Sequence, residues 1–185
     1  MKGLLLTGFM VLTTLFPVRG ERGLVSPESG VNYEKLARYL EGGDWRRANE
    51  ETRDLLLAAT GRKMVGWMRL EDIRNIPCWD LKTIDRLWYE SSGGLFGLRT
   101  QLKVFLETGN RPGKLTNDEN YNRFGEKVGW RRNNDWIIFI ENLDYSLNAP
   151  RGHLPNIRSE YSIGGGRLYY TTLAERLVQC NMGKN

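Results

Sequence analysis

VGWRRNNDWIIFIENLDYSLNAPRGHLP, residues 128–155, contains the run Trp136, Ile137, Ile138, Phe139, Ile140, which is continuously apolar. Periodicity alone does not separate a buried strand from a helix in such a run. Trp136, Phe139, Ile140 and Leu143 recur at helical spacing, and Asn134 or Asp135 can cap the N-terminus, so the run is assigned as a helix. With that assignment no segment of the chain alternates as a strand would. The same stretch holds Trp130, Trp136, Phe139, Tyr145 and the sole histidine, His153. Pro150 and Pro155 fix φ at two points of its APRGHLP end, and Gly152 between them permits conformations denied to other residues. Arg131, Arg132, Arg151 and Arg158 stand nearby, and guanidinium forks suit carboxylates or phosphates. An apolar face with cationic edges suits an amphipathic anion, so the ligand site is expected here.

Outward from this stretch the pattern is helical. Tyr33, Leu36, Ala37 and Leu40 recur at i, i+3, i+4 and i+7 up to Gly42-Gly43, and Asp44 then caps a second helix with Trp45, Ala48, Leu55, Leu56 and Ala59 on its inner side. Residues 64–74 read as a loop with one helical turn at most. Asp80 is expected to cap a helix lined by Leu81, Ile84, Leu87 and Trp88. Leu98, Leu102, Phe105 and Leu106 mark another, and Tyr121, Phe124 and Val128 a short one. Thr172 with Glu175 reads as a capping box before Leu173, Leu177 and Cys180. The expectation is one compact all-α domain of about seven helices over residues 33–182, joined by a polar linker, residues 21–32, to an apolar leader, residues 1–20.

The leader carries Lys2 and Arg19 and no acid, and residues 3–18, GLLLTGFMVLTTLFPV, have the apolar core of a secretory signal or membrane anchor. A formal net charge of +5 falls to +3 without it, 25 basic residues against 22 acidic. With the acids interspersed there is no basic stripe of the kind nucleic acid needs. Cys78 and Cys180, the only cysteines, exclude a multi-cysteine metal cluster. They could pair in an oxidising compartment, but both sit in apolar patterns, and each is expected to act as a small buried hydrophobe.

Asp80, Asp85 and Glu90 could be taken for catalytic carboxylates. Five positions on a helix turn Asp85 about 140° away from Asp80, so the pair diverges, and capping or ion pairing is the expected role. Ser91-Ser92-Gly93-Gly94 lacks the spacing and lysine of a phosphate loop. His153 could ligate a metal, but ring nitrogens bonded to nearby backbone are the expectation. No nucleophile is visibly paired with it. A small secreted hydrolase using Asp80 and Asp85 is the weaker alternative.

Two separate motifs carry a resemblance to a known family. One is VGW (128–130) followed by APRGHLP (149–155). The other is IPCWDL (76–81), TIDRLW (83–88) and SGGLFG (92–97), with Gln101 beyond. In this order, over about residues 33–180, they resemble the GUN4 family of tetrapyrrole-binding regulators. The chain departs from the family pattern at Leu98 and Arg99, where the family prefers Phe and Ser. The resemblance implies a non-catalytic protein that binds protoporphyrin IX or magnesium protoporphyrin IX and assists magnesium chelatase, in contact with its large subunit. It implies no required cofactor and no protein metal ligand. A monomer is expected. A sensory module uncoupled from the chelatase is the alternative. Phe96, Leu98, Trp130, Trp136, Phe139, Tyr145, His153 and Leu154 would surround the ring, and Arg151 and Arg158 would meet the propionates. The APRGHLP loop would close as a lid hinged at residues 164–166. The family implies cytoplasm or chloroplast stroma, whereas the leader suggests export or membrane association through residues 3–18.

Overall fold

The structure is a computed structural model that describes residues 23–158 and 166–183. The leader, the linker residues 21–22 and hinge positions Gly164 and Gly165 lie outside the described residues. Among those described, seven α-helices carry the fold: α1 (Glu34–Glu41), α2 (Trp45–Ala59), α3 (Leu70–Arg74), α4 (Cys78–Ser91), α5 (Leu98–Glu107), α6 (Asp118–Lys127) and α7 (Arg167–Gln179). The all-α expectation holds. No helix among the described residues is long and apolar enough to cross a membrane.

α1 and α2 form a hairpin that turns at Gly43, whose positive φ of 68° suits glycine, and the Asp44 side chain caps α2 by accepting from the Arg47 N–H. α4 packs against α1, α2 and α5, while α3 and α5 pack on α7. One core results. Trp45, Trp88 and Phe96 meet at its centre with ring centroids 5.5–6.2 Å apart, and the Trp88 indole donates to Thr52 Oγ1 at 2.9 Å. Phe105, Phe124, Trp130 and Tyr170 form a second aromatic nest towards α6 and α7.

Four local expectations are corrected. α4 begins at Cys78 after Pro77, so Asp80 lies inside its first turn and caps nothing. Its buried carboxylate instead accepts from Ser26 Oγ (2.8 Å), Ser29 Oγ (2.6 Å) and Tyr33 OH (2.6 Å), tying the segment before α1 to α4. Thr172 lies inside α7, which starts five residues earlier, and its hydroxyl donates to the Leu168 carbonyl. The helix expected from Trp136 does not form. β1 (Arg131–Arg132) and β2 (Asp135–Trp136) make a short antiparallel hairpin, followed by a 3-10 turn over Ile140–Asn142. Asn133 and Asn134, at φ 51° and 69°, form the turn, and two consecutive positive-φ residues are what a two-residue hairpin requires. Finally, Cys78 and Cys180 are bonded to each other, not packed as free thiols. The bridge links the first turn of α4 to the end of α7, 102 positions away in sequence.

Candidate functional site

The two motifs singled out in the sequence lie side by side. The Gly97 N–H donates to the Leu154 carbonyl (2.9 Å), the Gly152 N–H to the Leu95 carbonyl (2.9 Å), and Gln101 Nε2 to the Pro155 carbonyl (2.7 Å). The APRGHLP loop is thereby stitched to the entry of α5. Gly152 and Gly129 both hold positive φ, and a Cβ at Gly129 would press on Pro150 and His153, so glycine is required for the loop to seat.

His153 fastens the loop from the other side. Its Nδ1 lies 2.6 Å from the Val128 carbonyl, and its Nε2 accepts the Asp144 N–H at 3.0 Å. Those partners select the Nδ1–H tautomer of a neutral ring. Burial pushes the imidazole pKa down, with nearby Arg132 and Arg158 acting in the same direction and the Val128 carbonyl and Asp144 opposing. The His153 carbonyl in turn accepts the Trp130 indole N–H at 2.7 Å.

The ten residues expected to surround a ligand differ widely in exposure among the described residues. Phe96, Leu98, Trp130, His153 and Leu154 are fully buried. Arg158 is buried too, its guanidinium 4.8 Å from the Trp130 ring and 5.4 Å from the Trp136 ring, and burial pushes its pKa down to about 10. Tyr145 is half-buried beneath Arg46 and donates to the Ile140 carbonyl. Phe139 is 60% exposed beside Ile138, 57% exposed. Trp136 lines an apolar cleft bounded by described residues, and Arg151 lines a separate one.

The Trp136 cleft encloses about 600 Å³ between the start of α3 (Leu70), α6 (Tyr121, Asn122) and the start of α7 (Leu168, Tyr169), within the size range of ligand pockets. Trp136 stacks on Tyr121 with centroids 5.0 Å apart and planes 27° from parallel. The indole lies so close to α6 that a Cβ at Gly125 would overlap it, so that glycine makes room for the stack. Arg167, ion-paired with Asp118, stands at the rim, and Arg158 lies against the Trp136 ring. The result is a flat aromatic wall with two guanidinium groups close by, chemically suited to a planar apolar body bearing carboxylates. Sequence reading missed Leu70, Tyr121 and Tyr169. Tyr121 was readable only as a core position of α6, and Leu70 and Tyr169 had no local signal.

The acids do not form a catalytic pair. Asp80 faces Ser26, Ser29 and Tyr33, whereas Asp85 accepts from the Arg99 N–H (2.8 Å) and Arg99 Nε (2.5 Å). Burial pushes the Asp85 pKa up and these Arg99 contacts pull it back. Among the described residues no group of three or more His, Cys, Asp or Glu side chains is placed to hold a metal.

A family model described as GUN4-like matches residues 26–164. A Ycf53-like protein of Synechocystis sp. is 30% identical over 145 residues, covering 77% of this chain and 55% of that protein. A chloroplastic tetrapyrrole-binding protein of Arabidopsis thaliana is 30% identical over 139 residues, covering 69% of this chain and 49% of that protein. The chain thus spans about half the length of the curated relatives it matches. Among solved structures, GUN4 from Chlamydomonas reinhardtii superposes with a TM-score of 0.64 at 26% identity, covering 82% of this chain and 94% of that one. Ligand-free Arabidopsis thaliana GUN4 gives 0.62 at 27% identity, covering 82% and 99%. Since the family model spans most of the described fold and the solved GUN4 structures share its architecture, the chain belongs to the GUN4-like family.

Proposed function

We propose that this protein is a non-catalytic tetrapyrrole-binding regulator that binds protoporphyrin IX or its magnesium complex against the Trp136–Tyr121 wall and supports magnesium chelatase. The observation that carries the reading is this stacked aromatic wall with Arg158 and Arg167 close by, in a chain related to a protein named for tetrapyrrole binding. The residues fit the group. A porphyrin presents a broad apolar face and two carboxylates at one edge, and the cleft offers ring surface and the Arg167 guanidinium, with the buried Arg158 behind Trp136. Trp136 would stack on the macrocycle, Arg158 and Arg167 would meet the propionates, and Phe139, exposed after β2, would fold over the outer face. Phe96, Leu98, Trp130, His153 and Leu154 act from beneath, holding the loop that carries this surface, and Tyr145 steadies the 3-10 turn. Arg151 lines the separate cleft instead.

Tryptophan fluorescence titrated with protoporphyrin IX tests the binding, and quenching saturable at micromolar ligand is expected. Absence of quenching would refute it. Coupling to the chelatase is a separate measurement, in which added protein should raise the rate of magnesium insertion into protoporphyrin. A protein that binds porphyrin without raising that rate would be a sensory module instead.

A further inference from the structure

On the face formed by α4 and α5 lies a second cleft of about 820 Å³, which shares no lining residue with the Trp136 cleft. Five cations line it: Lys82 and Arg86 one turn apart on α4, Arg99 and Lys103 one turn apart on α5, and Arg151 from the loop. Only two acids, Asp85 and Glu107, line it with them, a balance of +3.

The cations are not equally engaged. Arg99 is held in place, its Nε and backbone N–H on the buried Asp85 carboxylate and its guanidinium 4.6 Å from the Tyr89 ring centroid. Its two terminal nitrogens make no hydrogen bond among the described residues. Arg151 meets Glu107 only at 3.5 Å, an exposed pair that contributes little, and Arg86, partly buried, meets Glu90 at 3.6 Å. Lys82 and Lys103, both exposed, have no ion pair among the described residues. Like charges gathered this way repel one another unless an anion joins them. The rest of the lining includes apolar surface from Trp79, Leu102, Leu106 and Met182. The Cys78–Cys180 bridge fixes this end of the cleft, because Trp79 and Asn181, each next to a half-cystine, both line it.

We propose that the cleft between α4 and α5 is a second ligand site, for an organic polyphosphate of the nucleoside triphosphate class, its phosphates held by Lys82, Arg86, Arg99 and Lys103. Charge and size select this class together. A monoanion or dianion leaves the lining cationic, whereas a triphosphate offsets it. A bare inorganic phosphate leaves most of the volume and the apolar end unfilled, whereas a base and sugar cover Leu102, Leu106 and Met182.

Calorimetric titration of the full chain with ATP, and separately with inorganic tripolyphosphate, tests the proposal. ATP should bind with a Kd below about 100 μM at low salt and weaken as salt is added, since exposed charges are screened. Tripolyphosphate should bind more weakly. The double variant Lys82→Glu/Lys103→Glu should lose at least tenfold in ATP affinity. Both side chains are exposed, so its circular dichroism should match the wild type. Protoporphyrin affinity, read by fluorescence in the same two proteins, should be equal, which separates this site from the tetrapyrrole reading. No heat at millimolar ATP, or the same Kd in both proteins, would overturn the site. Tripolyphosphate binding as tightly as ATP would overturn the choice of an organic ligand.

Discussion

His153 is the residue on which the loop's geometry turns, because both ring nitrogens are spent on backbone, at Val128 and Asp144. Its pKa in the folded protein is pushed below the usual value near 6.5. Between those two values the unfolded chain binds a proton that the folded one does not, so stability falls as pH drops through the window and is flat above it. The slope from one such group is at most about 1.4 kcal/mol per pH unit. Urea unfolding at pH 7.5 and 5.5 should show this loss, and His153→Gln, which keeps a donor and an acceptor, should show less of it. An equal loss in both proteins would mean that the ring is not held neutral by the fold. That the loop would be shaped was legible from Pro150, Gly152 and Pro155. Which backbone groups the imidazole would reach was not, since Val128 lies 25 positions away and is brought near only by the turn after α6.

At the scale of elements, α1, α2, α4 and α5 were readable because their buried residues recur at 3.6-residue spacing, and in α4 this gives Leu81, Ile84, Leu87 and Trp88 on the inner side. The run after Trp136 was misread for a physical reason. Its helical spacing was genuine, but Asn133-Asn134 is also a signature of a two-residue hairpin, and pairing of Arg131 with Trp136 prevails. The Ile137 N–H extends the pairing to the Trp130 carbonyl at 2.9 Å. A β-branched residue tolerates positive φ poorly. Asn134→Val, at φ 69°, should therefore lower stability by about 1–2 kcal/mol, whereas Asn134→Gly should leave it within about 0.5 kcal/mol. Paired denaturation curves measure this, and equal stabilities for the two variants would place the turn elsewhere.

The whole molecule is closed by a contact that no local pattern announces. Cys78 and Cys180 lie in apolar surroundings that a free thiol would also suit, and only the packing of α3 and α5 on α7 brings them together. Cross-linking residues 102 apart restricts the unfolded chain strongly, and removal of such a bridge costs about 2–5 kcal/mol. Cys78→Ala/Cys180→Ala should lower the unfolding free energy by that amount in non-reducing buffer, and reductant should shift the wild type towards the variant without affecting the variant itself.

The proposed tetrapyrrole site likewise emerges only at this scale, because Leu70, Tyr121, Trp136 and Tyr169 belong to four different elements and meet at one cleft. Its most direct test is Trp136→Ala, followed by the shift of the porphyrin absorption band on titration with protein. Trp136 is predicted to be the stacking surface, and loss of one aromatic anchor in a binding site costs about 2 kcal/mol or more, so protoporphyrin should bind at least thirtyfold more weakly with helical content unchanged. Unaltered affinity in a folded Trp136→Ala variant would contradict the assignment and place the porphyrin elsewhere on the fold.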